Sequence, residues 1–479
     1  MAAWESEGPI GARKSANEGT GAGGAKGTRA GIELQEGNMT ATSMAEVMSP
    51  KLLEVRERAK RDPQMQFLSL AHLIDEVMLK AAYERVRKDA AVGVDGITKE
   101  QYGERLDANV RDLHQRMRTK TYRHQPIRRV HIPKERGKTR PIGISSMEDK
   151  MVQDALREVL QAVYEPMFFD CSYGFRPGRS AHGALRALNR VLVRGEANWV
   201  LEADIQSFFD SIDRKMLMEM LRKRVADTSL LRLVGKCLHV GILDGEEYTT
   251  PTEGTVQGSA LSPLLGNVYL HHVLDEWFEY VVRPRLAGKA CLVRYADDFV
   301  IAFEREDDAQ RVMVVLGRRF ERFGLTLHPD KTRLLPFGRP KRGQPGGKGP
   351  ATFDFLGFTH YWRRSRWGSW VPGLKTRTAR LRRAIMAVAD WCRRHRHQSV
   401  REQHAALTRR LVGHFNYFGV EDNRRGLTTL VWWAERVWRK WLDRRSQRAH
   451  MTWRRFKLLL RAFPLPQPRV YVQIWATPP

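Results

Sequence analysis

The chain contains 479 residues, with 82 Lys and Arg against 54 Asp and Glu, so its formal charge at neutral pH is +28. Hydrophobic residues make up 42% and charged residues 28%, values typical of a globular protein, which exclude a wholly disordered chain. The length predicts roughly three domains of about 150 residues each. The basic excess predicts a polyanionic partner, with nucleic acid first and an anionic membrane surface second.

The charge is unevenly distributed along the chain. Residues 341–479 contain 30 Lys and Arg against 7 Asp and Glu, a net charge of +23, together with 10 of the 13 Trp. Basic and aromatic side chains together suit phosphate contact and base stacking. The alternative is a solvated basic face with Trp in a core.

Secretion and membrane insertion are not indicated. The four Cys are far apart and form no CxxC pair, which fits a reducing compartment and gives no signal for a zinc site. No run of about 18 apolar residues predicts a membrane span, and the N-terminus lacks the pattern of a secretory signal.

The N-terminal elements begin after a polar segment. Residues 1–49 are predicted to be disordered, because the Gly-rich stretch at 19–31 has no large apolar side chain. Helical spacing begins near Pro50. Apolar stripes at Leu70–Met78 and Leu106–Met117 each predict a further helix.

Residues 128–145 predict a β-hairpin, because apolar and polar residues alternate on both sides of a turn at Gly137, and basic residues lie at its tip. Helical spacing returns at residues 151–163, and Ser180 is predicted to cap another helix. Later in the chain, Ser262 is predicted to cap a helix that has Pro263 at its first position.

Strands are predicted at Trp199–Ile205, Leu292–Tyr295 and Phe299–Phe303. Residues 338–350 are rich in Pro, Gly and basic residues, which predicts a flexible connection or a long hairpin loop. Beyond Lys375 the apolar pattern is helical. The middle of the chain is therefore predicted to be α+β and its end a basic helical bundle.

Carboxylates lie at the ends of these strands. Asp204 ends the first apolar strand, and Asp297 and Asp298 lie between the other two. Neighbouring carboxylates repel one another, whereas Mg²⁺ prefers such oxygen ligands, and two ions can clamp attacking and leaving oxygens. An Asp-Asp pair alone is also common in hairpin turns. The metal-site prediction therefore rests on the joint pattern with Asp204.

This joint pattern resembles the palm of a reverse transcriptase, and it is most similar to the group II intron-encoded reverse transcriptase/maturase family. The resemblance extends from about residue 50 to residue 479. It rests on motifs in order, which are IPKERGKTRPIGI (132–144), SYGFRPGRSAHGAL (172–185), ADIQSFFDSID (203–213), TVQGSALSPLLGN (255–267), YADD (295–298), FDFLGF (353–358) and LVGHFNYFG (411–419).

The resemblance implies an α+β right-hand polymerase fold, with fingers and palm built on an antiparallel sheet, followed by an α-helical basic thumb/maturase domain. The implied division is a disordered segment at 1–49, fingers with the start of the palm at 50–200, the palm with its catalytic carboxylates at 201–360, and a helical RNA-binding thumb at 361–479.

The resemblance also implies a catalytic centre. Asp204 and Asp297 would bind two Mg²⁺ ions, for which Mn²⁺ is an alternative, with support from Asp298 and from backbone carbonyls that include that of Ile205. One ion would lower the pKa of the primer 3′-OH, and the other would neutralise charge on the leaving pyrophosphate.

Several residues would contact the incoming nucleotide. By resemblance, Lys134 and Arg140 would hold the triphosphate, although a surface hairpin often carries basic residues without that role. Gln257 and Gly258 match a loop beside the nucleotide and the template strand.

The resemblance implies two further nucleotide contacts, and each of them has an alternative interpretation. Phe209 would place its ring where a 2′-OH would clash and so select dNTP over rNTP, whereas core packing is assigned to Phe208. Lys331 would help to protonate pyrophosphate or hold phosphates, and a solvated Lys is the alternative.

The basic C-terminal region would then grip nucleic acid as the thumb, and in the family the same region binds intron RNA for splicing. The implied RNA-binding residues are Arg380, Arg382, Arg383, Arg393 and Arg394. The implied partners are an intron RNA template, an RNA/DNA duplex with primer, dNTP and a DNA target. No membrane partner is implied, and the implied location is the bacterial cytoplasm near the nucleoid. A homodimer is left open.

The expected function is RNA-directed DNA synthesis on intron RNA, with assistance to splicing and mobility. The last 80 residues contain no Cys and only scattered His. An HNH endonuclease domain is therefore not expected, and reinsertion would need a 3′-OH from a nicked or replicating strand. Two alternatives stay open: a related bacterial reverse transcriptase with a host role in phage defence or DNA repair, and a non-catalytic RNA-binding splicing factor, which the intact Asp204, Asp297 and Asp298 disfavour.

Overall fold

The computed structural model describes residues 48–133, 139–245, 247–250, 253–255, 257–340, 351–446 and 450–474. The predictions for the N-terminal segment as far as residue 47, for Lys134 and for the loop at 341–350 lie outside these residues. Within the described parts, no helix combines the length and apolar character that crossing a membrane requires.

Helices dominate the N-terminal part, and side-chain caps define where several of them begin. Ser49 accepts a hydrogen bond from the Leu52 N–H, and Ser180 accepts one from the Gly183 N–H, so the predicted cap at Ser180 is confirmed. These helices are α1 (Pro50–Arg61), α2 (Glu76–Arg85), α3 (Lys99–Gly103), α4 (Leu106–Arg118), α5 (Met147–Tyr164) and α6 (Ala181–Arg194).

The predicted helix over Leu70–Met78 is wrong. Ala71–Leu73 form only a short 3₁₀ turn, and α2 begins after Asp75. The Asp75 carboxylate accepts a hydrogen bond from the Met78 N–H at 2.9 Å, which satisfies a free donor at the helix start and marks a boundary inside the stripe. Val77, which the stripe predicts to be inward, is 75% exposed.

The strands form three sheets. In chain order they are β1 (Ile127–Pro133), β2 (Thr139–Ile144), β3 (Trp199–Asp204), β4 (Ile242–Asp244), β5 (Glu247–Thr249), β6 (Ala290–Tyr295), β7 (Asp298–Phe303), β8 (Arg333–Pro336), β9 (Phe353–Phe355), β10 (Phe358–Arg364) and β11 (Trp370–Thr376). The sheet orders are β2-β1-β4-β5, β6-β7-β3-β8 and β11-β10-β9.

The first sheet departs from the expected antiparallel arrangement. Its β1–β2 hairpin is antiparallel as predicted, with Ile132 opposite Arg140, but β1 pairs with β4 in parallel. This parallel contact joins segments more than a hundred residues apart. No local periodicity predicts such a pairing.

The second sheet carries the carboxylates, and all of its pairings are antiparallel. The predicted strands around residues 199–205, 292–295 and 299–303 are confirmed as β3, β6 and β7. In the β3–β7 register, Asp204 lies opposite Asp298. The sheet therefore brings carboxylates from distant parts of the sequence to one edge.

The helices of the central part are α7 (Phe208–Ser211), α8 (Arg214–Arg222), α9 (Thr228–Leu238), α10 (Ser262–Leu270) and α11 (Glu306–Glu321). Pro263 lies in the first turn of α10 as predicted, but the cap position belongs to Leu261, and no side chain caps this helix. Ser262 is therefore not the cap. The helix continues into two π-helical turns, His271–Asp275 and Phe278–Val282.

The C-terminal part is a helical bundle, as predicted. Its helices are α12 (Thr378–Arg394), α13 (Val400–Phe418), α14 (Arg424–Asp443) and α15 (Trp453–Ala462). Their core includes the fully buried Trp438, whose indole N–H donates to Gln403 Oε1 at 2.9 Å. By contrast, Trp432 and Trp433 are more than 40% exposed, so the Trp residues of this region serve both core and surface.

Candidate active site

Three carboxylates lie at one end of the second sheet. Asp204 ends β3, Asp298 begins β7 opposite it, and Asp297 lies in the two-residue turn between β6 and β7. The first residue of this turn, Ala296, has φ +56°, a left-handed conformation that costs energy for a residue with a Cβ. The tight turn keeps Asp297 at the edge beside Asp204.

Mutual repulsion and burial raise the affinity of these carboxylates for protons. Burial, then the neighbouring Asp297 and Asp204 charges, raise the pKa of Asp298 to about 7. Burial and Asp204 also raise the pKa of Asp297, while Arg140 and Lys331 oppose that shift. The site therefore concentrates negative charge in an environment that penalises it.

The structure brings Lys331 to this site. Its Nζ lies 2.6 Å from Asp204 Oδ2. Backbone hydrogen bonds hold the preceding segment against β3, because the Gln206 N–H donates to the Thr326 carbonyl and the His328 N–H donates to the Asp204 carbonyl, both at 2.8 Å. Ile205 itself is buried and forms a bridge with Leu327.

The basic hairpin contributes Arg140, which lies close enough to the carboxylates to lower the pKa of Asp297. The Gln257–Gly258 loop packs on the same hairpin, because the Gly143 N–H donates to the Gln257 carbonyl at 2.7 Å. Gly258 has φ +111°, and a Cβ there would lie 2.6 Å from the Gly143 carbonyl oxygen. Only glycine permits this approach.

Phe208 and Phe209 have different environments. Phe208 is buried, as predicted, whereas Phe209 is half-buried and packs against the core with its ring centroid 5.1 Å from that of Phe208. The Phe209 carbonyl accepts a hydrogen bond from the Thr255 N–H at 2.6 Å. Phe209 is therefore held beside the loop that carries Gln257.

The arginines predicted to bind RNA are spread along α12. A Cβ at Gly357, in the β9–β10 turn, would lie 3.8 Å from Arg380 Cγ, which places Arg380 near that turn. Arg393 and Arg394 both pair with Asp390. Arg380 and Arg394 are about 20 Å apart along α12 at 1.5 Å per residue, so this set does not form one compact site.

A buried arginine beneath the carboxylate turn is a residue that the sequence analysis did not single out. The Arg294 guanidinium binds both oxygens of Asp275, at 2.9 and 2.6 Å, and donates to Asn267 Oδ1 at 2.9 Å and to the Ala296 carbonyl at 3.2 Å. Both charged side chains are fully buried. The single charge within the otherwise apolar strand segment CLVRY (291–295) was the available signal, since a buried charge needs a partner.

The SYGFRPG segment packs directly against the same turn. A Cβ at Gly174 would lie 2.4 Å from the backbone nitrogen of Ala296. Asn267 Nδ2 donates to the Gly174 carbonyl at 2.7 Å, and the Tyr173 N–H donates to the Arg294 carbonyl at 2.8 Å. This segment therefore packs against the backbone of the Ala296–Asp297 turn and holds it in place.

The FDFLGF segment contacts the site from another side. Leu356 and Gly357 both have positive φ in the β9–β10 turn, the backbone that a two-residue hairpin favours. The Leu356 N–H lies 3.4 Å from Asp298 Oδ2, and the Leu356 carbonyl accepts a hydrogen bond from the Tyr417 hydroxyl at 2.9 Å. The turn thus connects a carboxylate to the helical bundle.

The donor set of this site fits divalent metal ions. Carboxylate oxygens are hard ligands, and burial together with the neighbouring carboxylates raises the pKa of Asp297 and Asp298, so a cation there would stabilise their charged forms. Asp204 and Asp297 are the residues that would hold such ions. Asp298 already interacts with the Leu356 N–H, which suits a supporting role.

The comparisons with known proteins agree with this geometry. Residues 132–360 match the family model described as Reverse transcriptase (RNA-dependent DNA polymerase). The chain carries a reverse transcriptase domain. That domain includes the basic hairpin from Ile132 onward, the Gln257 loop, all three carboxylates and the FDFLGF turn.

The relatives of this reverse transcriptase domain include proteins of group II introns. Group II intron-encoded protein LtrA of Lactococcus lactis subsp. cremoris is 37% identical over 193 residues, which cover 40% of this chain and 32% of LtrA. A 91 kDa protein in the cob intron of Schizosaccharomyces pombe is 34% identical over 253 residues, 52% of this chain and 31% of that protein.

Protein YkfC of Escherichia coli K12 is 34% identical over 239 residues, which cover 48% of this chain and 62% of that protein. The chain thus spans less than two thirds of the length of these relatives.

Gly174→Ala is expected to destabilise the protein by about 1–3 kcal/mol, because the added methyl group cannot fit beside the Ala296 backbone without moving it. Urea unfolding measures the effect. Gly235→Ala is the matched control, since no heavy atom lies within 4 Å of a Cβ at that helical position, and its stability should be unchanged or higher. Equal stability of the two variants would refute the proposed support of the turn.

Proposed function

We propose that this protein is an RNA-directed DNA polymerase that copies RNA into cDNA by metal-assisted nucleotidyl transfer. The observation that carries the proposal is the register of the second sheet, which places Asp204 opposite Asp298 with Asp297 in the adjoining turn, inside a reverse transcriptase domain. Opposed strand ends give the fixed carboxylate geometry that such chemistry requires.

In this proposal, Asp204 and Asp297 hold two Mg²⁺ ions, with the Ile205 carbonyl as a further ligand and Asp298 as support. The bound ions supply activation of the primer 3′-OH and charge neutralisation at the leaving pyrophosphate. Lys331, 2.6 Å from Asp204, is positioned to exchange that contact for a phosphate oxygen or to hold a proton for the leaving group.

Arg140, and by resemblance Lys134, bind the triphosphate of the incoming dNTP. Arg140 lies on β2, the strand that packs on the Gln257–Gly258 loop, so a nucleotide held by the hairpin would also meet this loop. The close approach of Gly258 to Gly143 keeps the loop backbone against the hairpin.

We further propose the right-hand arrangement of fingers at 50–200, palm at 201–360 and thumb at 361–479. One hydrophobic cluster supports the thumb assignment, because residues from Val388 to Leu465 pack together around Trp438. The basic residues of this unit suit binding of template–primer duplex.

The natural template in this proposal is an intron RNA, whose folding for splicing the C-terminal region assists, and the cDNA serves mobility into a DNA target. The similarity to group II intron-encoded protein LtrA and the net charge of +23 beyond residue 340 support this extension. The RNA-binding surface is built from Arg380, Arg382, Arg383, Arg393 and Arg394.

Asp297→Asn is expected to lower the rate of Mg²⁺-dependent dNTP incorporation on an RNA template at least about 10³-fold, because metal stabilisation of the transition state is worth several kcal/mol. Primer extension measures this rate. Asp307→Asn is the control, since Asp307 is exposed and pairs with Arg305 away from the carboxylate turn. Wild-type rates in Asp297→Asn would overturn the catalytic assignment.

Phe209→Ala is expected to raise rNTP incorporation relative to dNTP at least about tenfold, because removal of the ring removes the clash with a 2′-OH. The ratio of kcat/KM values for matched dNTP and rNTP substrates measures the selectivity. Phe209→Tyr keeps the ring and should keep the selectivity. An unchanged ratio in Phe209→Ala would show that Phe209 only packs the core.

Arg382→Ala is expected to weaken RNA binding and to reduce the slope of log K against log salt by about 0.7–0.9, the value for one lost phosphate contact. Arg382 is exposed on α12. Filter binding across a salt series measures the slope. Arg305→Ala is the control because Arg305 pairs with Asp307 outside the bundle, and a slope equal to that of Arg382→Ala would contradict the assigned surface.

A further inference from the structure

The helix that follows α10 changes its winding where two histidines occur together. The backbone N–H of Glu276 donates to the carbonyl of His271, a spacing of five residues that defines a π turn. Such turns are rare and frequently lie at functional sites.

The π turn places Glu276 over both histidines. At 3.6 residues per turn, an α-helix would rotate residue 276 by roughly 140° away from residue 271. The wider π turn nearly closes after five residues, so Glu276 lies between the directions of His271 and His272. His272 and Glu276, four residues apart, would face each other in an α-helix as well, so the effect of the wider turn is to bring His271 into the same cluster.

The three side chains are in ligand-like proximity. One ligand atom from each of His271, His272 and Glu276 lies within 4.8 Å of the others. His272 Nδ1 is 2.6 Å from Glu276 Oε2, and His271 Nε2 is 3.6 Å from Glu276 Oε1. Both histidine side chains are at least 95% buried, whereas Glu276 keeps a third of its side chain exposed and so leaves a path from solvent.

Hydrogen bonding within the protein leaves this cluster incomplete. His271 Nδ1 and His272 Nε2 are buried and have no hydrogen-bond partner. The contact between His272 and Glu276 accounts for one imidazole nitrogen only. These two nitrogens are not the ones nearest Glu276; the nitrogen of His271 that faces Glu276 is Nε2, at 3.6 Å, which is too long for a hydrogen bond. Since buried polar groups are nearly always paired, an ion held by His271 Nε2, His272 Nδ1 and Glu276 would give the His271 ring the partner it lacks.

Aromatic side chains pack against one side of the histidine cluster. Phe168 and Phe169 contact the His271 ring, with centroids at 5.5 and 5.1 Å. Asp275 is committed to Arg294, but its Oδ2 lies 3.9 Å from His271 Nδ1. At that distance Asp275 makes no hydrogen bond to the imidazole and contributes only a negative charge beside the ring.

We propose that His271, His272 and Glu276 form a zinc site, separate from the carboxylates of the proposed polymerase centre. Two imidazole nitrogens and one carboxylate oxygen are ligands that Zn²⁺ accepts and Mg²⁺ does not favour, and water reaching the site past Glu276 would fill the fourth position. The ion would brace the π turn, which the Asp275–Arg294 pair links to β6.

Co²⁺ titration of the full chain tests the site. The protein is treated with a chelator, exchanged into buffer with excess Mg²⁺ to saturate oxygen-only sites, and titrated with Co²⁺, whose visible absorption reports nitrogen-rich low-coordinate sites. The expected result is one Co²⁺ per chain, displaced by Zn²⁺, with the same result in Asp297→Asn. This last arm keeps the outcome independent of the polymerase proposal.

Ligand variants decide the assignment. Glu276→Gln and His272→Ala should each raise the Kd for Co²⁺ at least about tenfold, because even outer partners of metal ligands contribute 10–100-fold. His450→Ala, at an exposed histidine, should bind Co²⁺ like the wild type.

Zn²⁺ should raise Tm in the wild type and not in Glu276→Gln, a conservative variant at a partly exposed position. A wild-type Kd in Glu276→Gln, or no Co²⁺ binding in excess Mg²⁺, would overturn the proposal.

Discussion

The buried ion pair between Arg294 and Asp275 is the interaction on which the candidate site depends. Arg294 lies on β6, two residues before the strained Ala296, and its guanidinium binds the Ala296 carbonyl, Asn267 and Asp275 together. An unpaired charge at this depth would be strongly destabilising, so the strand, the π turn and the carboxylate turn must form together. The pair therefore fixes where Asp297 lies, although neither Arg294 nor Asp275 belongs to the carboxylate cluster. The strain at Ala296 is tolerated because Gly174 and Arg294 hold the turn from two sides.

A second constraint is electrostatic. The β3–β7 register places Asp204 opposite Asp298, and the turn adds Asp297, so that burial and repulsion raise the pKa of both turn carboxylates. Sheet hydrogen bonds on both sides of β3 keep these groups from moving apart. Lys331 offsets one charge through its contact with Asp204, and Arg140 contributes from the hairpin. A site built in this way is stabilised by any cation that enters it, which is the physical basis for expecting metal ions there.

The sequence correctly predicted elements that depend on local side-chain patterns, and it did not predict contacts between segments that are distant in the chain. Alternation and apolar runs predicted the β1–β2 hairpin and the strands β3, β6 and β7, because side-chain periodicity reflects burial on each face. The stripe at Leu70–Met78 was misread, since the Asp75 cap interrupts a pattern that periodicity alone cannot divide. The parallel β1–β4 pairing, the approach of Gly174 to Ala296 and the partner of Arg294 depend on tertiary contacts, which no spacing of residues encodes. The π turn at His271 was equally hidden, because the two adjacent histidines carry no periodic signal.

The β9–β10 turn lies between the acidic carboxylate site and the basic C-terminal helices. Leu356 contacts Asp298 through its N–H and Tyr417 through its carbonyl, and Arg380 at the start of α12 lies beside Gly357. The acidic edge of the second sheet and the basic bundle therefore meet across a single backbone turn. The basic bundle would attract a phosphate backbone and the carboxylates would repel it. In the proposed function, a duplex held by α12 would therefore approach Asp297 only where cations compensate the acids. In the proposed function, nucleic-acid binding and metal occupancy would therefore be coupled through charge.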